Sequence, residues 1–367
     1  MRVGIDARLV YYRQAGISQY TVQLIEGLAR CDGQDEFTVI QSVRSKSPII
    51  DRPGFSTHYA CTPSHHRFER FVLPLELGML RLDVLHSPDF IPPTLRGTRS
   101  VITIHDLVFL LYPHLLTKDS ARYYGQIDQA VARADAIIAV SEATKRDIMR
   151  LLGVPERKIK VIYEAASPAF RPQRSPEVVQ RVRERFGLHG EFVLFVSTIE
   201  PRKNVPMLLQ AYRRLLDEYK VEVKLVLAGE KGWMYDSVYE LVKTLRLQDR
   251  VVFLGRVSSD ELLWLYNTAE LLVAPSIYEG FGLTPLEAMA CGTPVVASNV
   301  SSLPEVVGDA GLLVDPYSVD EITVAIARVL QDSELRAQMV SRGLAQSERF
   351  SWDKAAIETL ALYHSVA

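Results

Sequence analysis

Short Val/Ile-rich runs alternate with segments of helical period along almost the whole chain, and the alternation occurs twice. In the first half "VGI", "FTVIQSV", "DVLHS", "VITIHDL", "AIIAVS" and "KVIYEA" read as strands. The helical patterns between them include "SQYTVQLIEGLAR" and residues 119–134 and 142–152. The stretch "SPAFRPQRSPE", residues 167 to 177, breaks the pattern with three prolines and no periodicity. The alternation then restarts through "FVLFVS", "VKLVLAG", "VVFLG", "ELLVAPS", "PVVAS" and "GLLVD". Strands this uniformly apolar are covered on both faces, as in a parallel sheet flanked by helices. A chain of 367 residues exceeds the usual size of a single core. The expected fold is therefore α/β: two Rossmann-like, doubly wound domains facing across a cleft. The expected boundaries are 1–168 and 178–350, with 169–177 as linker. The pairs Ser258/Glu261 and Ser318/Glu321 predict capping boxes at two helix starts in the second half.

Charge and cysteine content narrow the function classes. A net charge of −2 gives no basic footprint for nucleic acid. Cys31, Cys61 and Cys291 are far apart and form no CxxC or Cys/His ligand spacing, which fits a reducing, cytoplasmic setting with no zinc site. The start "MRVGIDARLV" has no signal-peptide core, and no apolar run reaches membrane-spanning length.

In doubly wound sheets, ligands lie beyond the carboxyl ends of the strands. Five loops hold such positions: 6–17, 105–106, 200–204, 229–232 and 279–284. In "SIYEGFGLTPLEAMACGTPVVAS", Glu279 ends a buried strand and precedes a glycine turn, where a carboxylate best serves as an acceptor for hydroxyls. A helix follows, with Thr284 expected at the N-cap, Pro285 at the first helical position, Glu287 at the third and Gly292 past the C-terminus. Its free amides and dipole suit a phosphate. On the same residues Glu287 reads equally as the second half of a capping box with Thr284. In "STIEPRKNVPMLL", Arg202 and Lys203 stand in a turn before a helix for which Asn204 is the expected N-cap, a plausible diphosphate clamp. In the first half, Gly16 precedes a helix, and His105 and Asp106 end a buried strand.

These residues resemble a known family. The block E-G-F-G-L-T-P-L-E, with Glu279 and Glu287 separated by seven residues, is similar to the E-x7-E signature of retaining glycosyltransferases of family 4, the group 1 glycosyltransferases, which have the GT-B fold. "EPRKN", "GDAGLLVDP", "GIDARLV…GISQY", "TIHDL" and "AVSEATKRDI" resemble the same family, so the likeness spans nearly the whole chain. The resemblance implies that Glu279 binds the hydroxyls of the donor sugar, near the amides of Phe281, Gly282 and Leu283. Glu287 would hold the ribose, and Arg202 and Lys203 would neutralise the diphosphate. Thr198 stands where many members carry an arginine, which leaves Arg202 as the partner of Lys203. Gly16 would admit the diphosphate, His105 would face the sugar, and Asp106 would line the acceptor side. A C-terminal helix, here from Ser351, would return to the first domain.

The activity so implied is transfer of a hexose from a nucleotide diphosphate sugar, with GDP-mannose the first choice, to a glycan or lipid-linked acceptor in polysaccharide assembly. No D-x-D motif occurs, so no metal and no cofactor is expected. The segment 64–80, "SHHRFERFVLPLELGML", mixes basic and apolar residues and offers a peripheral membrane contact. Epimerase, hydrolase and non-catalytic sugar-nucleotide-binding readings share the fold. A dehydrogenase is disfavoured, because no G-x-G-x-x-G follows the first strand.

Overall fold

The computed structural model of the chain describes residues 1–12, 16–64, 69–89, 93, 95–113, 124–232 and 235–367. It divides into two compact units, Met1–Glu164 with Ser351–Ala367, and Ala165–Phe350.

The first unit holds β1 (Arg2–Asp6), β2 (Glu36–Ser42), β3 (Phe55–Ala60), β4 (Val84–Ser87), β5 (Arg99–Ile104), β6 (Ala136–Ala139) and β7 (Ile159–Val161). Their order is β3-β2-β1-β4-β5-β6-β7, with every pairing parallel. The chain builds outward from β1 in one direction and then restarts beside it with β4, so the carboxyl ends of β1 and β4 form a topological switch point. The edge strand β3 escapes the sequence pattern. "FSTHYA" is half exposed and polar, and an edge strand needs no continuous apolar run. Residues 119–123 of the expected helical pattern lie outside the described residues, and the helix described there is Ile127–Arg133. Residues 65–68 of the expected membrane-facing segment also lie outside them. Helix Glu142–Leu152 starts where its pattern does, capped by Ser141, whose hydroxyl accepts from the Thr144 amide.

Helix Trp352–Val366 lies in this unit against helix Gly16–Leu28. Gly27 permits the approach, because a Cβ there would stand 2.8 Å from the Trp352 carbonyl oxygen. Tyr363 reaches inward to His86 Nδ1 at 2.6 Å. His86 Nε2 meets Thr103 Oγ1 at 2.8 Å, and Thr103 meets Tyr20 Oη at 3.1 Å. This buried chain ties both helices to β4 and β5. Burial and the nearby His105 push His86 down to about 3, so its ring is neutral.

The second unit holds β8 (Phe192–Val196), β9 (Lys224–Ala228), β10 (Val251–Gly255), β11 (Leu271–Ala274), β12 (Val295–Ser298) and β13 (Leu312–Val314). All six are the strands expected from the second half. Their order is β10-β9-β8-β11-β12-β13, again with every pairing parallel, and the switch point lies between β8 and β11. Leu208, Leu209, Tyr212 and Leu215 of helix Val205–Tyr219 pack with Ile322, Ile326 and Val329 of helix Val319–Gln331 over Val193, Leu225 and Val273.

Local signals held in part. Ser258 and Glu261 form a complete capping box. Ser318 accepts from the Glu321 amide, but the Glu321 carboxylate accepts from the Asp315 amide instead of closing its box. Helix Pro176–Phe186 is capped by Ser175 and begins inside the proline-rich stretch, because proline suits the first helical position.

Candidate active site

The clearest convergence of charged groups lies at the β8/β11 switch point. After β8 the chain makes a single 3₁₀ turn, Pro201–Lys203, then enters helix Val205–Tyr219 through Asn204 at φ +58°. Asn204 holds the N-cap position, but its amide does not cap. Nδ2 donates to the carbonyls of Pro275 at 3.0 Å and Pro316 at 2.7 Å, locking the loops after β8, β11 and β13 together. The Ile277 amide donates to the Arg202 carbonyl at 2.8 Å and adds a second tie.

These ties bring Glu279 against both cations. Arg202 Nη1 donates to Glu279 Oε2 at 2.7 Å, Lys203 Nζ to Oε1 at 2.6 Å, and Ser276 Oγ to Oε1 at 2.7 Å. Burial alone would raise the Glu279 pKa, but Lys203 and Arg202 overcome it and hold the group down at about 2. Lys203 is pushed below the ordinary lysine value, by burial first and by the Arg202 charge second. Arg202 also pairs with Glu200 through Nε at 2.5 Å. The two cations expected as an uncommitted diphosphate clamp therefore each hold a carboxylate. The four groups carry no net formal charge, so their use to an anion lies in directed N–H donors.

Helix Leu283–Ala290 starts two residues earlier than expected. Gly282, at φ +118°, occupies the N-cap, and no side chain caps the helix. The backbone angle favours glycine there, and an added Cβ would also lie close to Leu303 Cδ2, at 3.0 Å. Thr284 thus stands inside the first turn and is not the N-cap. The capping-box reading of Glu287 fails with it, because Glu287 Oε2 accepts from Tyr266 Oη at 2.9 Å. Burial raises Glu287 to about 7 against the lowering effect of that bond. Gly292, at φ +76°, closes the helix as expected.

The first-turn amides of this helix have no intrahelical partners. Leu283, Thr284 and Gly282 line a small cavity of about 30 Å³ together with Lys203, Ser276 and Glu279. Phe281 is buried, its ring 5.7 Å from Phe350.

Sequence reasoning missed four members of this site. Ser276 orients Glu279, Tyr266 bonds Glu287, and Ser301 and Ser302 hold the Glu279 loop. Ser301 Oγ accepts from the Glu279 amide, and Ser302 Oγ donates to the carbonyls of Glu279 and Phe281. The two serines follow β12, so a search of every strand-end loop would have reached them. Tyr266 lies inside a helix and gave no such signal.

Gly16, His105 and Asp106 all lie in the first unit. Gly16 opens helix Gly16–Leu28 and is exposed. A Cβ there would meet no protein atom within 4 Å, so packing does not demand glycine. His105 Nδ1 meets Glu164 at 2.8 Å and Nε2 meets the Pro88 carbonyl at 3.0 Å. Both partners are acceptors, so both nitrogens donate; burial opposes the charged ring, but Glu164 outweighs it and raises the pKa. With both nitrogens engaged, this ring braces the turn after β4. Asp106 Oδ1 accepts from the Val108 amide at the start of a short helix.

Comparison with known proteins agrees with this layout. The family model described as Glycosyl transferases group 1 matches residues 179–346, and that described as Glycosyltransferase Family 4 matches residues 15–170. The chain is 34% identical to an O-antigen chain mannosyltransferase B of Escherichia coli, over 99% of each chain. It is 32% identical over 70% of its length to the serotype-specific mannosyltransferase WbdA of Escherichia coli, matching 32% of that protein. Among solved structures it resembles a sucrose-phosphate synthase from Thermosynechococcus elongatus, with TM-score 0.78 and 22% identity over 100% of this chain and 98% of that one. It also resembles HepE of Anabaena in complex with UDP and glucose, with TM-score 0.75 and 19% identity over 100% of both chains. The two doubly wound sheets are those of the GT-B fold.

Proposed function

The chain belongs to the family 4, group 1 glycosyltransferases, and on that premise we propose that it transfers mannose from GDP-mannose to a glycan hydroxyl in polysaccharide assembly, with retention at the anomeric carbon and without a metal ion. The observation that carries the donor-site reading is the meeting of Arg202, Lys203 and Glu279 at the β8/β11 switch point, beside an uncapped helix N-terminus. The mannosyltransferase relatives support mannose, and the HepE complex with UDP and glucose supports a nucleoside diphosphate occupant.

Each residue then has a physical task. Glu279 is held ionised and oriented by three donors. A carboxylate has about four acceptor sites, so roughly one is left for a sugar hydroxyl. Glu287 accepts from the ribose hydroxyls once deprotonated. Arg202 and Lys203 turn N–H donors toward the diphosphate, and the amides of Gly282, Leu283 and Thr284 add the helix dipole. Charge developing on the departing phosphate is met by these fixed donors, so a divalent ion is not needed for it. The bond from the anomeric carbon to the β-phosphate oxygen breaks, and the acceptor oxygen bonds to that carbon from the same face. The acceptor proton passes to the departing phosphate oxygen. No protein nucleophile takes part.

A lipid-linked acceptor fits one further observation. On and just after helix Glu69–Leu77, Phe71, Leu75 and Met79 are 59%, 80% and 84% exposed. This apolar face would rest on a bilayer surface. Among the described residues, no helix is long and apolar enough to cross a membrane.

The test is a panel of nucleotide sugars assayed with EDTA present. GDP-mannose should be consumed fastest, and NMR of the product should show the donor's anomeric configuration. Loss of activity in EDTA with recovery in magnesium, or an inverted product, overturns the corresponding part of the reading.

A further inference from the structure

We propose that the amino-terminal pole of the second sheet holds a further ligand site, which takes a small monocarboxylate with an apolar body. The site lies wholly in the second unit and does not depend on the transferase reading. It is a partly open pocket of about 300 Å³, against about 30 Å³ for the cavity beside Glu279. That volume stands at the lower end of the range for ligand pockets, roughly 300–1,000 Å³. Ala269 and Glu270, just before β11, and Pro294, just before β12, line it. Helix Leu283–Ala290 lies between the two sites. Its first turn lines the donor cavity, and the turn that follows it, Cys291–Thr293, lines this pocket.

The walls are fixed. Asn267, 3% exposed, donates to the Arg171 carbonyl at 3.1 Å and accepts from the Gln173 amide, which holds the segment that carries Pro172 and Arg174. Helix Ser333–Ser347 supplies Arg336, Ala337, Val340 and Leu344, whose spacing of three and four residues puts them on one face.

Two arginines and one carboxylate line the pocket. Arg174 Nη2 pairs with Glu270 at 3.0 Å, so the net charge is that of Arg336. Arg336 Nη1 donates to the carbonyls of Val329 at 2.9 Å and Leu330 at 2.5 Å, at the end of helix Val319–Gln331. These bonds anchor the guanidinium, and among the described residues no protein group pairs with its Nε or Nη2. Those adjacent N–H groups form the fork that takes a carboxylate through two parallel bonds. Burial pushes the Cys291 thiol up to about 12, so it stays neutral and adds no charge. One net cation suits one negative charge. Pro172, Pro294, Val340 and Leu344 give the rest of the lining an apolar character that suits a hydrocarbon body. An anchored arginine with an unused fork and a roomy apolar wall thus converge on one ligand class.

The experiment titrates butanoate, hexanoate and octanoate into the whole chain, by calorimetry and ligand-observed NMR, with and without saturating GDP. At least one should bind at a single site, equally well with GDP present. The matching alcohol should bind roughly ten- to hundredfold more weakly, because it cannot use the fork. Arg336→Gln should weaken the acid by a similar factor, roughly ten- to hundredfold. This variant also gives up the bonds to the helix end. If it melts too low to titrate, Arg336→Lys, which keeps the charge but not the fork, takes its place, again with weaker binding expected. Ala337→Phe, at an exposed helix position, keeps the arginine and fills the pocket, and should abolish saturable binding. No saturable binding by any of the three acids, an alcohol that binds as tightly as its acid, or displacement by GDP overturns the site. Binding that survives both substitutions also overturns it, by moving the acids to the exposed face of Phe71, Leu75 and Met79. If the acids bind as expected but no nucleotide sugar is consumed, the transferase details fail and this site stands.

Discussion

Both sheets bring arginine and carboxylates together where their strand order reverses, yet the two clusters are built to different ends. At the β1/β4 point Arg8 is sealed from solvent, saturated by Asp6, Glu69 and the Thr62 carbonyl. At the β8/β11 point Arg202 keeps 20% of its side chain exposed and Lys203 12%, and their shared partner Glu279 keeps 15%. Both clusters use neighbouring loops, but a sealed arginine is part of the core, whereas a partly open one can exchange partners with a ligand. Topology chooses the place, and the depth of the arginine chooses between structure and chemistry.

The largest expected effect breaks the sealed cluster. Arg8→Leu strands Asp6 and Glu69 without their counterion and should cost about 3–5 kcal/mol in urea unfolding of the first unit. The matching Arg202→Leu leaves Lys203 on Glu279 and should cost about 1 kcal/mol or less. Similar losses for the two would erase the distinction.

Ligand binding should show the reverse ranking. Arg202→Ala and Lys203→Ala should each weaken nucleoside diphosphate binding by about 1.5–3 kcal/mol, the worth of a charge-assisted hydrogen bond. Glu279→Gln should lower turnover about ten- to hundredfold while sparing affinity for free nucleoside diphosphate, which has no sugar for that carboxylate to hold. Calorimetry that finds both cation variants unchanged would remove the diphosphate from this cluster.

Glu287 sharpens the comparison through pH. Its folded value near 7 lies above its ordinary value, so its contribution to stability is complete below about pH 4.5 and is lost as pH rises through 7. Ribose hydroxyls favour the ionised carboxylate, so nucleotide affinity should rise with pH between 6 and 7.5, by at most about 1.4 kcal/mol per unit. Binding should release a proton, visible as a dependence of calorimetric heat on the buffer. Affinity that is flat across this range would detach Glu287 from the ribose. Glu279 has the opposite sign. Its depressed value means that its stabilising contribution is present above its ordinary range and is lost only as pH falls towards 2.

The smallest effect belongs to His105. Its raised value means that stability is fully present below its ordinary range and declines as pH rises through the folded value. Wild type should lose more melting temperature than His105→Asn between pH 6 and 9. Equal slopes would argue against the doubly donating ring.

Much of this molecule was legible in order along the chain. Six second-half strands, the Ser258/Glu261 box and the Gly292 terminus follow from periodicity and caps, which depend only on neighbours within a few residues. Glu279 and the two cations stood out because they follow buried strands, and Glu287 because it lies in the first turns of the helix after that loop. Where local signals failed, a distant partner had won. Gly282, at a positive φ that favours glycine, took the cap from Thr284. Glu321 left Ser318 for the Asp315 amide, and Glu287 left its own helix end for Tyr266.

The sequence by itself determined that there are two parallel α/β sheets and which loops carry chemistry, because strand and helix periods are short-range and repeat. Only the tertiary structure decided who pairs with whom. Arg202 and Glu279 are 77 residues apart, and Arg8 and Glu69 are 61 apart. Strand order sets both meetings, and burial strengthens each pair once water is excluded. Neither strand order nor burial is encoded in any local window.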